Sequence, residues 1–274
     1  MTYHLYGEKF KELRTQKQLP LSYFEEIGMN KGDLSRFEHG KQMIGFERLD
    51  VMLQQMNVSL AEYELIINNF VPDFQEAFLN DVDEADFNQD KPKLTKLYEE
   101  ARETGYGLLA IATKARYDKL EEKEITYVLD FLNKIKEWGY FELSVLYFVL
   151  DDLSTLELRK VFRNFETKSH NYYGLPKYSR RILQIAYRAV VILGARGEQE
   201  FVNQILKQTE HRTKAGIDIY IENLRRLTLG VNHYYFENKD EGMRQINKSL
   251  EIFRFLEHEE LAHYYENRIK AFLN

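Results

Sequence analysis

Apolar positions recur at spacings of three and four along almost the whole chain, and few stretches alternate apolar with polar residues. That is the helical period, so the pattern predicts an all-α protein. Tyr6, Phe10 and Leu13 put an apolar face on a helix from about Gly7 to Lys17, ended by Leu19-Pro20. A short second helix, Tyr23 to Ile27, is expected to take Ser22 as its N-cap and Gly28 as its stop. Asn30 is placed to cap a third helix, Lys31 to His39, closed by Gly40. A fourth carries Phe46, Leu49, Leu53 and Met56. A fifth, capped by Ser59, carries Leu60, Tyr63, Ile67 and Phe70 in register. Val71-Pro72 reads as the end of this first domain, residues 1–70.

The stretch that follows, Asn80 to Pro92, is acidic and superficially suggests a calcium loop. Such a loop needs a ligand at its fifth position, Gly at the sixth and Glu at the twelfth. Ala85, Asp86 and Pro92 stand there instead, so residues 71–91 are expected to be a linker with a solvated acidic loop. Residues 92–274 then read as helices at 92–103, 107–119, 123–137, 141–152, 155–167, 178–193, 198–210, 215–236, 239–255 and 259–273, with glycines near several joins. Helix pairs in such a series predict an α-solenoid. The clearest repeat is Leu229-Gly230 followed by Gly242, Ile246 and Ser249, a small/large spacing that resembles a tetratricopeptide repeat, with Arg254 where a Pro usually closes the unit.

Two short helices around Gly28-Met29-Asn30 make a helix-turn-helix. In the second of them Leu34 and Phe37 face the core, which leaves Lys31, Gly32, Ser35, Arg36 and His39 on the other side. A helix in the major groove needs such a face: long donors that reach base edges, and small residues where the backbone comes close. Lys31 and Arg36 are expected to read bases, Asn30 and Lys41 to hold phosphates, and Gly32 and Ser35 to allow the approach. The run Asp33-Leu34-Ser35-Arg36-Phe37-Glu38-His39-Gly40-Lys41 resembles the third-helix signature of lambda-repressor-like, or XRE-type, domains. That resemblance implies a buried bidentate ion pair between Arg14 and Glu38. Pro20 stands where that family often has a Gln.

Charge narrows the picture. The net charge is −6, and the first 60 residues carry eight Lys/Arg and eight Asp/Glu, so the DNA-binding domain is not basic and is expected to act as a dimer. The chain has no cysteine, which excludes disulfides, thiolate metal sites and a Cys nucleophile. MTYHLYGEKF lacks the pattern of a signal peptide, and no stretch approaches the ~20 apolar residues of a membrane span, so a cytoplasmic protein is expected. His258-Glu259-Glu260-Leu261-Ala262-His263 nearly spells a zinc-protease motif. Its histidines are five apart, about 140° around a helix, which spoils one-face coordination. No Gly-rich phosphate loop or Gly-x-Ser-x-Gly occurs. Neither an enzyme, nor a metal, nor a cofactor is expected.

The concave face of a solenoid normally takes an extended peptide or a partner helix. Arg188, Asn223, Arg226 and Asn232 stand among apolar neighbours at helical spacing and are the candidate peptide contacts, since an Asn amide bonds backbone both ways and an Arg holds carboxylates. The segment Ile135 to Leu146, IKEWGYFELSVL, together with the helix-turn-helix followed by helical repeats, resembles the Rgg/MutR regulators. The resemblance implies a cytoplasmic homodimer from a Gram-positive bacterium. It would bind an inverted-repeat operator in double-stranded DNA under the control of a short signalling peptide. The alternative is a helical-repeat adaptor for other proteins, with a vestigial helix-turn-helix.

Overall fold

The computed structural model describes residues 3–210 and 218–273 and places no strand among them. The chain divides into two compact units, residues 1–77 and 78–274.

The first unit holds α1 (Tyr3–Gln16), a 3-10 helix (Leu21–Ile27), α2 (Lys31–Glu38), α3 (Phe46–Gln55) and α4 (Leu60–Ile67). The expected Ser22 cap is not used. Pro20, held extended at φ −73°, leads directly into a 3-10 turn at Leu21. Gly28 ends that turn in the left-handed region at φ 78°, and its N–H reaches back to the carbonyls of Glu25 and Phe24. Asn30 caps α2 through Oδ1, which accepts from the Gly32 N–H at 2.7 Å. Ser59 and Glu62 form a reciprocal capping box at α4. Phe24 and Phe37 each pack with ring centroids 5.7 Å from Phe10, and Leu34, Met52 and Leu53 complete a closed core. Two expected core positions are corrected. Phe46 lies in the unpacked first turn of α3 and is 70% exposed. Phe70 lies past the end of α4, because the chain turns through positive φ at Asn69 and Phe70.

The acidic stretch is not a loop. It is α5 (Phe74–Phe87), of which the residues from Phe78 onward belong to the second unit. Phe78, Leu79, Val82 and Ala85 form a buried helical stripe between the acids, and that stripe, rather than the charge, decides the structure. There follow α6 (Lys91–Glu103), α7 (Gly107–Lys114), α8 (Glu122–Lys134), α9 (Tyr140–Val149), α10 (Thr155–Ser169), α11 (Pro176–Ala195), α12 (Gln199–Thr209), α13 (Ile219–Phe236), α14 (Lys239–Phe255) and α15 (Glu259–Lys270). The expected start of the eighth of these segments, at 215, lies outside the described residues. Helix α11 packs on α9, α12 and α13, while α14 packs on α13 and α15, as in stacked helical repeats.

The paired glycines set the closest joint in this stack. A methyl group on Gly230 would come within 2.9 Å of the Ile246 backbone nitrogen, and one on Gly242 would overlap the Tyr234 backbone. Two antiparallel helices therefore meet here backbone to backbone. Among the described residues, no helix is long and apolar enough to cross a membrane.

Candidate functional site

In the first unit α2 divides as its sequence predicts. Leu34 and Phe37 are fully buried, and Lys31 and Arg36 are exposed on the other side. Each cation is parked on a carboxylate of its own chain. Lys31 Nζ is 3.1 Å from Glu25, and the Arg36 guanidinium pairs with Asp33 while its Nε donates to Gln42 Oε1 at 3.0 Å. Gln42 is fixed in turn by donating to the Asp33 carbonyl. Exposed pairs of this kind are worth ~0–1 kcal/mol, so a phosphate or a base edge can replace them at little cost. Ser35 and Gly32 are half-buried on the same side, Asn30 is committed to its cap, and Lys41 is exposed just past the helix end.

Arg14 and Glu38 meet behind this face. Arg14 donates from Nε to Oε1 at 2.6 Å and from Nη2 to Oε2 at 2.9 Å, and Nη1 donates to the Leu19 carbonyl. The hydrogen bond to Glu38 raises the Arg14 pKa above its ordinary value. The pair ties α1 to the end of α2 and closes the loop at Leu19, which fixes the angle at which α2 is presented.

In the second unit a cavity of about 500 Å³ opens among the helices. Its wall comes from α9, α11, α13 and α15, every second helix of the stack, together with α5. Tyr147, Tyr220, Tyr264 and Tyr265 give it aromatic surface, and Lys177, Arg180 and Arg181 face one carboxylate, Asp83. Tyr220 and Tyr265 share a hydroxyl–hydroxyl hydrogen bond. Burial pushes the Tyr220 hydroxyl up to about 12 and that of Tyr265 well above its usual value, so both stay neutral donors at physiological pH.

The four sequence-predicted contact residues do not converge on this cavity. Asn223 is turned into the α13–α14 joint, where Nδ2 donates to the Ser249 carbonyl at 2.9 Å. Asn232 is also buried, and its Oδ1 has no hydrogen-bond partner. Arg226 is exposed and paired with Glu222 beside a separate, smaller recess. Arg188 lines a small adjoining cavity of about 30 Å³, but its guanidinium is taken by Asp151, with both bonds at 2.7 Å. Helical spacing marks these residues as polar among apolar neighbours, yet it does not say whether a buried polar group faces a neighbouring helix or a ligand.

Arg188 belongs to a buried network behind the cavity. Arg268 on α15 bridges Asp151 and Asp86, Arg116 holds Asp86 through two bonds of 3.0 and 3.1 Å, and Tyr264 donates to Asp86 at 2.8 Å. Burial pushes the Asp86 and Asp151 carboxyls up, but the arginines outweigh it and hold both below the usual carboxylate range. The residues that sequence reasoning missed, Arg181 and Gln184, share one stripe of α11 with Arg188 at spacings of three and four. That stripe, polar among the buried apolar residues of the helix, was the available signal.

Comparison with known proteins places the whole arrangement. The family model described as "HTH-type transcriptional regulator Rgg, C-terminal domain" matches residues 90–267. The pheromone receptor Rgg2 of Streptococcus dysgalactiae is 19% identical, with 97% of this chain and 99% of that one covered at a TM-score of 0.80. A proposed transcriptional regulator of Listeria monocytogenes EGD-e is 16% identical, with 99% and 98% covered at 0.81. ComR of S. thermophilus, solved with DNA and its signalling peptide ComS, is 12% identical, with 97% and 99% covered at 0.64. At these identities the likeness is one of fold.

Proposed function

The chain belongs to the Rgg family of helix-turn-helix transcriptional regulators, and from that premise we propose a cytoplasmic homodimer that binds an inverted-repeat operator and answers to a short signalling peptide. It is a regulator, not an enzyme, which removes the ground for the adaptor reading. Residues 1–77 are the DNA-binding unit, with Arg36 and Lys31 reading bases and Lys41 and Asn30 at the phosphates. Residues 78–274 hold the peptide and the dimer contact. One observation carries the peptide reading: a single cavity is built from alternate helices of the stack, with aromatic walls and a cluster of cations. Structural relatives described as a pheromone receptor and as a complex with DNA and a signalling peptide support it.

The dimer matters because the DNA-binding unit has no basic excess. Two copies of α2 would enter successive major grooves about one helical turn apart, and each adds its own phosphate contacts. A footprint on the DNA upstream of the protein's own gene tests the assignment. Arg36→Ala should weaken that footprint by ~1–3 kcal/mol without lowering the melting temperature. Protection equal to the parent's would remove α2 as the reading helix.

A further inference from the structure

We propose that Arg181 is a carboxylate-exchange point: Asp83 of α5 now holds its guanidinium, and a carboxylate of the peptide competes with Asp83 for it. The proposal rests on the peptide reading above and adds the chemical class of the ligand and the group it displaces.

Arg181 cannot leave its place without a partner. It is 4% exposed, it lines the cavity, and its charge is permanent. An unpaired guanidinium at that depth is among the costliest groups a protein can hold. Its present partners are Asp83, bound through both terminal nitrogens, and the Tyr140 hydroxyl at 3.2 Å. Nε is buried with no hydrogen-bond partner at all, so the guanidinium still has donor capacity.

Asp83 differs. Its side chain is 33% exposed, so water can take over its solvation once it lets go. The pair is therefore asymmetric: Asp83 can be released to solvent, but Arg181 must receive another anion in the same step. Only a ligand group with two acceptor oxygens in one plane matches the fork that Asp83 now fills.

The surroundings favour such a group. Lys177, Arg180 and Arg181 against Asp83 leave the cavity wall two positive charges in excess, in a chain whose net charge is −6. Arg180 is 55% exposed, with Asp218 as its partner, and Lys177 lies 4.0 Å from the Tyr140 ring centroid. The aromatic walls then accept apolar side chains next to the acid. The ligand is thus a short, mainly apolar peptide that presents a carboxylate, either its own C-terminus or an Asp or Glu side chain. Asp83 sits on α5. Losing Asp83 from Arg181 removes one tie that holds α5 in the second unit.

The test is selection of a random heptapeptide library on the immobilised full-length protein, followed by affinities for an enriched peptide and its carboxylate-neutralised twin. The twin carries Asn or Gln for the acid, or a C-terminal amide. The parent should bind the acidic form at least tenfold more tightly. Arg181→Gln should lose that preference. Arg181→Lys, which keeps the charge without the fork, should retain part of it and serves if the glutamine variant melts too early. Asp83→Asn should tighten the acidic form several-fold and leave the twin unchanged, because the competitor is gone. Enriched peptides with no carboxylate preference would overturn the exchange while leaving the peptide reading intact. So would Asp83→Asn weakening both forms alike. A library that enriches nothing would overturn both.

Discussion

The two units use arginine in opposite ways. In the helix-turn-helix unit the buried charge is one closed pair, Arg14 with Glu38, and the cations proposed to meet DNA stay outside in solvent on Asp33 and Glu25. Structure and binding are separate there. In the repeat unit Arg116, Arg188 and Arg268 share only Asp86 and Asp151, and Tyr264 joins that network to the cavity wall. Structure and binding are continuous. A residue proposed to read DNA should therefore change without loosening its domain, whereas a change behind the cavity should disturb fold and the proposed ligand site together.

The largest effect that could break this contrast is expected at Asp151. Asp151→Ala leaves Arg188 without its carboxylate and Arg268 with only its long contact to Asp86. Removing one partner of a buried pair typically costs ~3–5 kcal/mol, which chemical denaturation measures directly. Peptide affinity should fall as well, and unchanged affinity in the folded variant would sever the proposed continuity. The parent's pH profile carries the same signature. The folded-state pKa values of Asp86 and Asp151 are depressed, so their stabilisation is fully present above about pH 5 and is lost as pH falls through and below the normal value of about 4. Asp151→Ala should flatten that acid slope.

Glu38→Ala comes next. It leaves the buried Arg14 guanidinium without its carboxylate, and a loss of ~3 kcal/mol should be confined to residues 1–77. Hydrogen exchange that also accelerates in α11 or α15 would contradict the separation of the units. The smallest effect belongs to Asp33→Asn. It removes the ion pair of Arg36 and a negative charge beside it, so operator affinity should rise by less than ~1 kcal/mol with no change in stability. A fall in affinity would mean that Asp33 positions Arg36 rather than merely parking it.

Much of the fold was legible because helical period and caps are local. Asn30, Gly28 and Ser59 act through neighbours two to four residues away, and the paired glycines announce their close joint by spacing alone. Where charge and period disagreed, as in α5, period won, because four apolar side chains are buried while Asp81 and Glu84 point to water and Asp86 finds arginine partners inside. The division of α2 into a buried and an exposed side could be read for the same reason, since one helix carries both. The cavity could not. Its wall takes between one and five residues from each of five helices, and whether Asn223 or Arg181 faces inward depends on which helices become neighbours. Nothing local encodes that.

The glycine joint of α13 and α14 has a mechanical consequence. Helices separated by a layer of side chains can slip past each other by a turn, because the layer can re-interdigitate. Here the backbones touch at Gly230 and Gly242, and no layer exists to slip. The pair should travel as one stiff beam. Rearrangement of the cavity then falls on the hinges at its sides, such as the left-handed residues Gly197 and Glu257 at the turns leaving α11 and α14.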